Sequence, residues 1–301
     1  MKAIQFTEFG GPEVLKVVDL PEPHPANGQI RVQVHAVGIN PIDWKVRSGM
    51  MGGDLPKVTG QEVSGVVDEI GDGVTGIAEG DEVFGPAAGG GGAAEYALLE
   101  NYARIPASLD FAGAAALPVA VETAARTLDL IKVGEGQTVL VNGAAGAVGI
   151  ATVQLARERG ARVIGTASPG NHEYLRSYGA EPTTYGDGLV ERVHELASDG
   201  VDKAIDDAGG GALTALVELA GGPENVVTIA DYEGSQKTGV AITGGPGSVR
   251  AWYALPQAAE LIEAGRFSLP LAQTFPLEQI AEAHALSETG HVRGKLVLLV
   301  D

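Results

Sequence analysis

The sequence predicts an α/β protein in which a small β-barrel leads into a doubly wound parallel sheet. Three observations carry that expectation. Over residues 1–105 short stretches of strand pattern alternate with frequent turns, the signature of a small β-rich unit. Beyond about Ser108 helical periodicity alternates with short extended segments, which implies a parallel sheet covered on both faces. The third is the stretch VLVNGAAGAVGIATVQLARERGARVIGTAS at 139–168, around which the chain is organised.

That stretch reads as strand, tight turn, helix and strand. Val139–Val141 is an apolar run, and Gly143, Gly146 and Gly149 break it. Val148, Ala151 and Leu155 then recur at helical spacing before Arg162–Ala167 becomes extended again. Order and length are those of a dinucleotide-binding βαβ unit. Small residues in the turn let backbone N–H groups approach a pyrophosphate, and Gly149 lets the helix pack closely on the strand. The phosphates sit at the helix N-terminus, where unpaired N–H groups and the helix dipole favour negative charge. The spacing is G-x-x-G-x-x-G; equally, Ala144, Gly146 and Gly149 fill a G-x-G-x-x-G register with Ala first. With 44 glycines in the chain a triplet alone says little, so the flanking strand and amphipathic helix carry the reading.

The end of the second strand points to the nucleotide. An NAD site usually places Asp or Glu about 20 residues past the first glycine, on the ribose 2′-OH. Here Gly165, Thr166, Ala167 and Ser168 stand instead, with no carboxylate. Ser168, Asn171 and His172 offer donors to a 2′-phosphate, and no acid repels it, which favours NADPH. The usual arginine or lysine is not evident, and Ser168–Asn171 is in any case a turn.

Composition narrows the function classes. At 301 residues two domains are expected, and 45% apolar residues suffice for their cores. With 39 acids against 20 bases the net charge is −19, which opposes binding to nucleic acid or an anionic membrane. The absence of cysteine excludes disulfides, thiolate nucleophiles, iron–sulfur clusters and cysteine-ligated zinc. The start MKAIQFTEFGG lacks a signal peptide's apolar segment, and no apolar run approaches about 18 residues, so a soluble, cytoplasmic protein is expected.

In chain order, residues 1–9 and 14–20 read as strands joined at Gly10-Gly11-Pro12. Ile30–Ala36 alternates apolar and polar residues, a half-buried strand on which His35 faces outward. In GINPIDWKVRSG (38–49) a strand end, a turn and a short helix bring Asn40 close to Asp43. A local role explains both from spacing alone: Asn before proline favours a turn, and Asp suits a helix N-terminus. Residues 59–74 read as a glycine-punctuated strand pair, 80–85 as turn and strand, and 93–100 as extended. Helices are expected over 110–130, interrupted by Pro118, then at 171–178, 187–198 and 211–220. Extended segments at 183–185, 201–206, 226–230 and 238–243 lie between and after them. Helices at 256–264 and 277–286 and a strand at 294–300 complete the chain.

Taken together, KAIQFTEFGGPEVL, VGINPIDWKVRSG, TGQEVSGVV, GDEVFG, ALPVAVETA and VLVNGAAGAVG resemble the medium-chain dehydrogenase/reductase superfamily over essentially the full length, and within it the zinc-free quinone oxidoreductase branch. The resemblance implies a GroES-like barrel built from both chain ends (1–117 and 249–301) around a Rossmann NADPH-binding domain (118–248), with the active site in the cleft. It implies hydride transfer from NADPH to a quinone or an α,β-unsaturated carbonyl. Alternatives are a structural or regulatory NADPH-binding protein, or a carbonyl or enoyl reductase of a specialised pathway. The family's zinc enzymes hold their metal by cysteine and histidine. Here Asn40 takes the region of the first cysteine, Gly60-Gln61-Glu62 replaces Gly-His-Glu, and the six histidines form no ligand set, so no metal is expected.

The same resemblance implies that Asn40 and Asp43 border the substrate and nicotinamide, and that Thr123 positions the cofactor. Gly143, Gly146, Ala147, Val148 and Gly149 would face the pyrophosphate. Ser168, Asn171, His172 and Tyr185 would line the adenosine phosphate end. Ala208, Gly209, Ile229 and Ala230 fall at later strand ends, where tight packing accounts for them equally well. The active-site tyrosine of enoyl thioester reductases has no counterpart in residues 45–58, which leaves the proton donor unassigned. Family members commonly form homodimers, and the segment Gly239–Thr243 is placed to pair at a sheet edge.

Overall fold

A computed structural model describes residues 1–245 and 247–300 and divides the chain into two units. Met1–Val119 with Trp252–Asp301 form the first, and Ala120–Ala251 the second.

The first unit begins with β1 (Lys2–Phe6) and β2 (Lys16–Asp19), then β3 (Ile30–Ile39), the short helix α1 (Pro41–Arg47), β4 (Lys57–Val58) and β5 (Glu62–Ile70). β6 (Glu82–Pro86), β7 (Tyr96–Leu99), β8 (Ala103–Arg104) and α2 (Phe111–Ala115) follow, and α3 (Pro118–Leu130) leaves for the second unit. There β9 (Thr138–Asn142), α4 (Ala147–Glu158), β10 (Arg162–Thr166), α5 (His172–Ser177), β11 (Glu181–Thr183) and α6 (Leu189–Leu196) alternate. They continue as β12 (Lys203–Asp206), α7 (Leu213–Leu219), β13 (Val226–Thr228), α8 (Tyr232–Thr238) and β14 (Ala241–Ile242). Back in the first unit stand α9 (Ala254–Glu263), β15 (Leu271–Pro276), α10 (Ile280–Glu288) and β16 (Lys295–Leu299).

In the first unit β2, β1 and β4 form a small sheet, and β15-β16-β3-β5-β6-β8 a larger one, with β7 also pairing β3. Alternation along β3 buries Ile30, Val32 and Val34 on one face, where Val63, Val83, Leu99, Leu296 and Leu298 join the core. His35 lies on the other face and stacks on Phe111 with ring centroids 4.4 Å apart. β16 pairs antiparallel with β3, Leu296 opposite Ile39, so the chain's last strand is built into the N-terminal sheet.

The second unit is a six-stranded sheet, β11-β10-β9-β12-β13-β14, parallel throughout. Counted from β9 the order is 3-2-1-4-5-6, that of a dinucleotide-binding sheet, with its switch point between β9 and β12. Val139, Leu140, Val141, Val163, Ile164, Ala204 and Ile205 are buried, as expected of strands covered on both faces. The expected GroES-like barrel and Rossmann architecture is therefore the observed one.

Three elements differ from expectation. Residues 59–74 hold one continuous nine-residue strand, β5, because Gly65 packs against the β3 backbone rather than turning the chain. Residues 232–238 form α8, capped by the Asp231 side chain, which accepts the Gly234 N–H at 2.7 Å. β15 was not evident because five of its six residues, all but Phe275, lie exposed and show no alternation.

Candidate active site and dinucleotide site

In the first unit two strand registers bring three distant residues together. Gly38 lies opposite Glu62 on β3 and β5, and Leu296 lies opposite Ile39 on β16 and β3. Continuing those registers by one or two residues puts Asn40, Glu62 and Lys295 side by side. Gly38 is required there, since a Cβ would stand 2.4 Å from Glu62 Oε1. All three side chains are buried: Asn40 is 4% exposed, Glu62 0% and Lys295 3%.

Their polar atoms satisfy one another. Lys295 Nζ lies 2.5 Å from Glu62 Oε1 and donates to Asn40 Oδ1 at 2.6 Å, while Asn40 Nδ2 donates to the same Oε1 at 2.7 Å. Glu62 Oε2 accepts the Val119 N–H at 2.6 Å. The amide of Asn40 is thus clamped between an ammonium and a carboxylate, which fixes which end carries oxygen. One N–H and one lone pair of that amide remain uncommitted by these bonds.

Asp43 sits in the first turn of α1, and its Oδ2 accepts the Asn40 N–H at 2.7 Å, the acidic half of a capping box. Burial pushes this carboxyl up to about 7. The Asn40 N–H opposes the shift, Glu62 adds to it, and Lys295 and the Gly60 backbone oppose it. Oδ1 nevertheless has no partner with hydrogen-bond geometry among the described residues. At the far end of α1, Arg47 is 1% exposed and pairs with Glu288. His284 on α10 is fully buried, and burial with the Arg47 charge holds it down to about 3.

These side chains do not fit a zinc ion. The cluster offers an amide oxygen and a carboxylate already committed to an ammonium, and that ammonium would repel a dication. Among the described residues no group of three or more His, Asp or Glu is placed to hold a metal.

In the second unit the glycine turn closes the end of β9. Gly143 takes φ +85°, a left-handed conformation that a Cβ would strain, and the Cβ would also meet Ala208 Cβ at 2.6 Å. Gly149 allows the close approach: a Cβ there would lie 2.4 Å from Gly143 O and 2.6 Å from Ala144 Cα. Gly146 caps α4, leaving the first N–H groups, those of Ala147, Val148 and Gly149, without intrahelical partners. Thr166 ties the turn down: its hydroxyl donates to Asn142 Oδ1 at 2.7 Å and accepts the Gly143 N–H at 3.0 Å. This turn at the start of a twelve-residue helix fits a dinucleotide pyrophosphate.

The other expected residues gather at the C-terminal ends of the parallel strands. Ser168 and Asn171 touch beyond β10 through Asn171 Nδ2, 3.3 Å from Ser168 Oγ, and His172 Nε2 lies 3.4 Å from Ala167 O. Tyr185, past β11, is 57% exposed. Gly143 abuts Ala208, and Gly209 abuts Ala230, one residue beyond Ile229, so the loops after β9, β12 and β13 are contiguous. Thr123, on α3, receives an Arg126 N–H at 3.3 Å, while Arg126 also reaches Thr243 beyond β14 at 2.8 Å and pairs with buried Glu122 at 2.7 Å.

Several residues escaped the sequence reading. Arg192, on α6, holds the Tyr185 loop by donating to Thr184 O at 2.9 Å and Asp187 O at 2.8 Å. Asp206 accepts from Asn142 Nδ2, the Gly209 N–H and Thr228 Oγ1, each at 2.8 Å, and so joins three strand ends. Glu62 and Lys295 are each the first residue of their strand, where a charge is commonplace, so the pattern did not single them out.

A parallel dinucleotide sheet together with a barrel built from both chain ends defines a dehydrogenase or reductase. Residues 26–126 match the alcohol dehydrogenase GroES-like domain and residues 178–298 the zinc-binding dehydrogenase family. Quinone oxidoreductase of Rattus norvegicus is 33% identical over 324 aligned positions, covering 100% of this chain and 98% of that protein. A structure described as an NAD-dependent alcohol dehydrogenase superposes with TM-score 0.85 at 31% identity, covering 100% of both chains. A mycobacterial structure complexed with NADPH gives 0.82 at 27%, covering 99% of this chain and 100% of that one. The chain belongs to the medium-chain dehydrogenase/reductase superfamily, as a quinone oxidoreductase-like oxidoreductase.

Proposed function

We propose that the protein transfers a hydride from NADPH to a quinone or an α,β-unsaturated carbonyl without a zinc ion. The observation that carries this reading is the Asn40–Glu62–Lys295 cluster, a clamped amide in place of a metal ligand set. A simple alcohol or its carbonyl partner gains most from a Lewis acid that stabilises alkoxide. A quinone or enone instead spreads incoming charge onto an oxygen that an ordinary hydrogen bond stabilises. Asn40 is assigned that role through its uncommitted N–H, Glu62 and Lys295 orient it, and Asp43 holds its backbone.

NADPH, when bound, supplies the hydride at nicotinamide C4. Gly143, Gly146 and the N–H groups of Ala147, Val148 and Gly149 would take its pyrophosphate. Ser168, Asn171, His172 and Tyr185 would take the adenosine phosphate end. Thr123, Ala208, Gly209, Ile229 and Ala230 would line the remainder. Preference for the phosphorylated nucleotide is supported by the lack of a carboxylate at the end of β10 and by the relative complexed with NADPH. Residues 1–117 with 249–301 are assigned as the catalytic domain and 118–248 as the nucleotide domain. A cytoplasmic location belongs to the same proposal; among the described residues no helix is long and apolar enough to cross a membrane.

A homodimer is part of the reading, because β14 ends the sheet and Ala241 and Ile242 are exposed there. Light scattering at micromolar concentration should give the mass of two chains, and a monomer would refute it. The function is tested by NADPH oxidation against quinones, enones and aldehydes, before and after exhaustive chelation. Turnover with the first two classes that survives chelation is expected. Zinc whose removal abolishes turnover refutes the mechanism, and NADPH binding without turnover on any acceptor makes the chain a binding protein.

A further inference from the structure

Two adjacent carboxyls, Asp206 and Asp207, stand at the end of β12, beside the switch point of the sheet, and their surroundings differ sharply. Asp206 is fully buried and surrounded by donors: Asn142 Nδ2, Thr228 Oγ1 and the Gly209 N–H at 2.8 Å, with the Ala208 N–H at 3.3 Å. Asp207 has no such shell. The residue as a whole is only half-buried, yet its Oδ1 is sealed from solvent and has no hydrogen-bond partner among the described residues.

Its other oxygen, Oδ2, lies 3.3 Å from Thr152 Oγ1 on α4, and that hydroxyl also lies 2.9 Å from Val148 O. A hydroxyl has a single proton to donate. Committed to the shorter contact with Val148, it offers Asp207 only a lone pair, and the 3.3 Å contact is then a hydrogen bond only if Asp207 supplies the proton. The charged or titratable groups acting on Asp207 are Asp206 beside it on the same strand end, which disfavours ionisation, and Arg126 from α3, which favours it. Burial is the largest influence and Asp206 the next, and they push this carboxyl up to about 8 against the opposing effects of the Thr152 hydroxyl and Arg126.

The place matters because Asp207 lies against the phosphate turn. Its N–H donates to the carbonyl of Asn142, the residue just before Gly143, at 3.0 Å, and Ala208 fills the space beside Gly143. Val148, whose carbonyl holds the Thr152 hydroxyl, is one of the α4 residues assigned to the pyrophosphate.

We propose that Asp207 is a proton-linked binding residue: its neutral acid form admits the dinucleotide pyrophosphate to the glycine turn, and its ionised form repels it. Ionisation places a second carboxylate beside Asp206 next to the glycine turn and draws the Thr152 proton away from Val148 at the start of α4. Binding in alkaline solution is therefore accompanied by uptake of one proton. This rests on the reading of the second unit as a dinucleotide site, and the test separates the two.

The dissociation constant of NADPH is measured by fluorescence titration from pH 6.5 to 9.5, for the wild type and for Asp207→Asn, which keeps the shape without the ionisation. NADH serves as a parallel probe that lacks the 2′-phosphate. The wild type should bind constantly up to the carboxyl's titration and then weaken by about tenfold per pH unit for both nucleotides, as one-proton linkage requires. Asp207→Asn should bind without that dependence. Should the variant not fold, calorimetry of the wild type at pH 9 in buffers of different ionisation enthalpy reads the proton uptake directly. A flat wild-type profile, an equal alkaline loss in Asp207→Asn, or no proton uptake at pH 9 overturns the inference. Failure of the wild type to bind either nucleotide at pH 7 overturns the dinucleotide reading, and this inference with it.

Discussion

Replacing Lys295 by methionine is the sharpest test of how the first unit holds its candidate active site. The substitution keeps the length of the side chain and removes the ammonium. It leaves the Glu62 carboxylate, which has no solvent exposure, with the Asn40 amide and the Val119 N–H as its partners among the described residues, and it removes the Lys295 donor from Asn40 Oδ1. Removing one partner of a buried pair costs about 3–5 kcal/mol, because the remaining charge cannot recover its hydration. For a unit of this size that corresponds to a fall in Tm of roughly 10 °C. Adding Glu62→Gln to Lys295→Met removes the orphaned charge, and the double variant should regain more than half of the loss. Urea unfolding of the wild type, the two single variants and the double variant measures all four corners of the cycle. A loss below about 1 kcal/mol for Lys295→Met, against the range expected for a buried pair, would refute the argument. So would a double variant no more stable than the single one.

Two further outcomes are expected. Ser168→Asp places a carboxylate at the end of β10 and should erase or reverse the preference for NADPH over NADH; equal affinities of the wild type for both nucleotides would refute the cofactor reading. Asp43 carries a folded-state pKa of about 7 against an ordinary value of 3.8, raised chiefly by burial. The folded state then binds more protons between those values, so Asp43's contribution is fully present below pH 3.8 and is lost as pH rises through about 7. Asp43→Asn should accordingly gain stability relative to the wild type across that window, and a difference independent of pH in urea titrations would remove the basis for the shift.

Some of this protein was written in short stretches of sequence. The βαβ unit was legible because its determinants are local: an apolar run, a turn needing Gly143 and Gly149, and a helix with its apolar face at 3.6-residue spacing. The pair Asn40 and Asp43 was legible for the same reason, three residues apart at a helix start, where the carboxylate reaches back to the backbone N–H. The missing carboxylate after β10 could likewise be read directly, because that position is counted along the chain from the glycines. α8 and β15 were not legible. α8 is a seven-residue helix without an apolar stripe, and most of β15 faces solvent, so its identity comes from pairing with β16.

Tertiary structure alone decided what surrounds those residues. Asn40 and Lys295 are 255 positions apart in sequence, and only the antiparallel register of β16 on β3 makes them neighbours. Glu62 reads as one more acid in an acidic chain until β5 pairs with β3 and buries it beneath an ammonium. Asp206 and Asp207 are consecutive and chemically identical, yet one is ringed with donors and the other faces a hydroxyl already committed elsewhere. Local pattern specifies backbone conformation, because torsional and hydrogen-bonding preferences act over a few residues. The protonation, orientation and partners of a buried polar group depend on desolvation and on charges brought from distant strands, and those exist only once the sheets have formed.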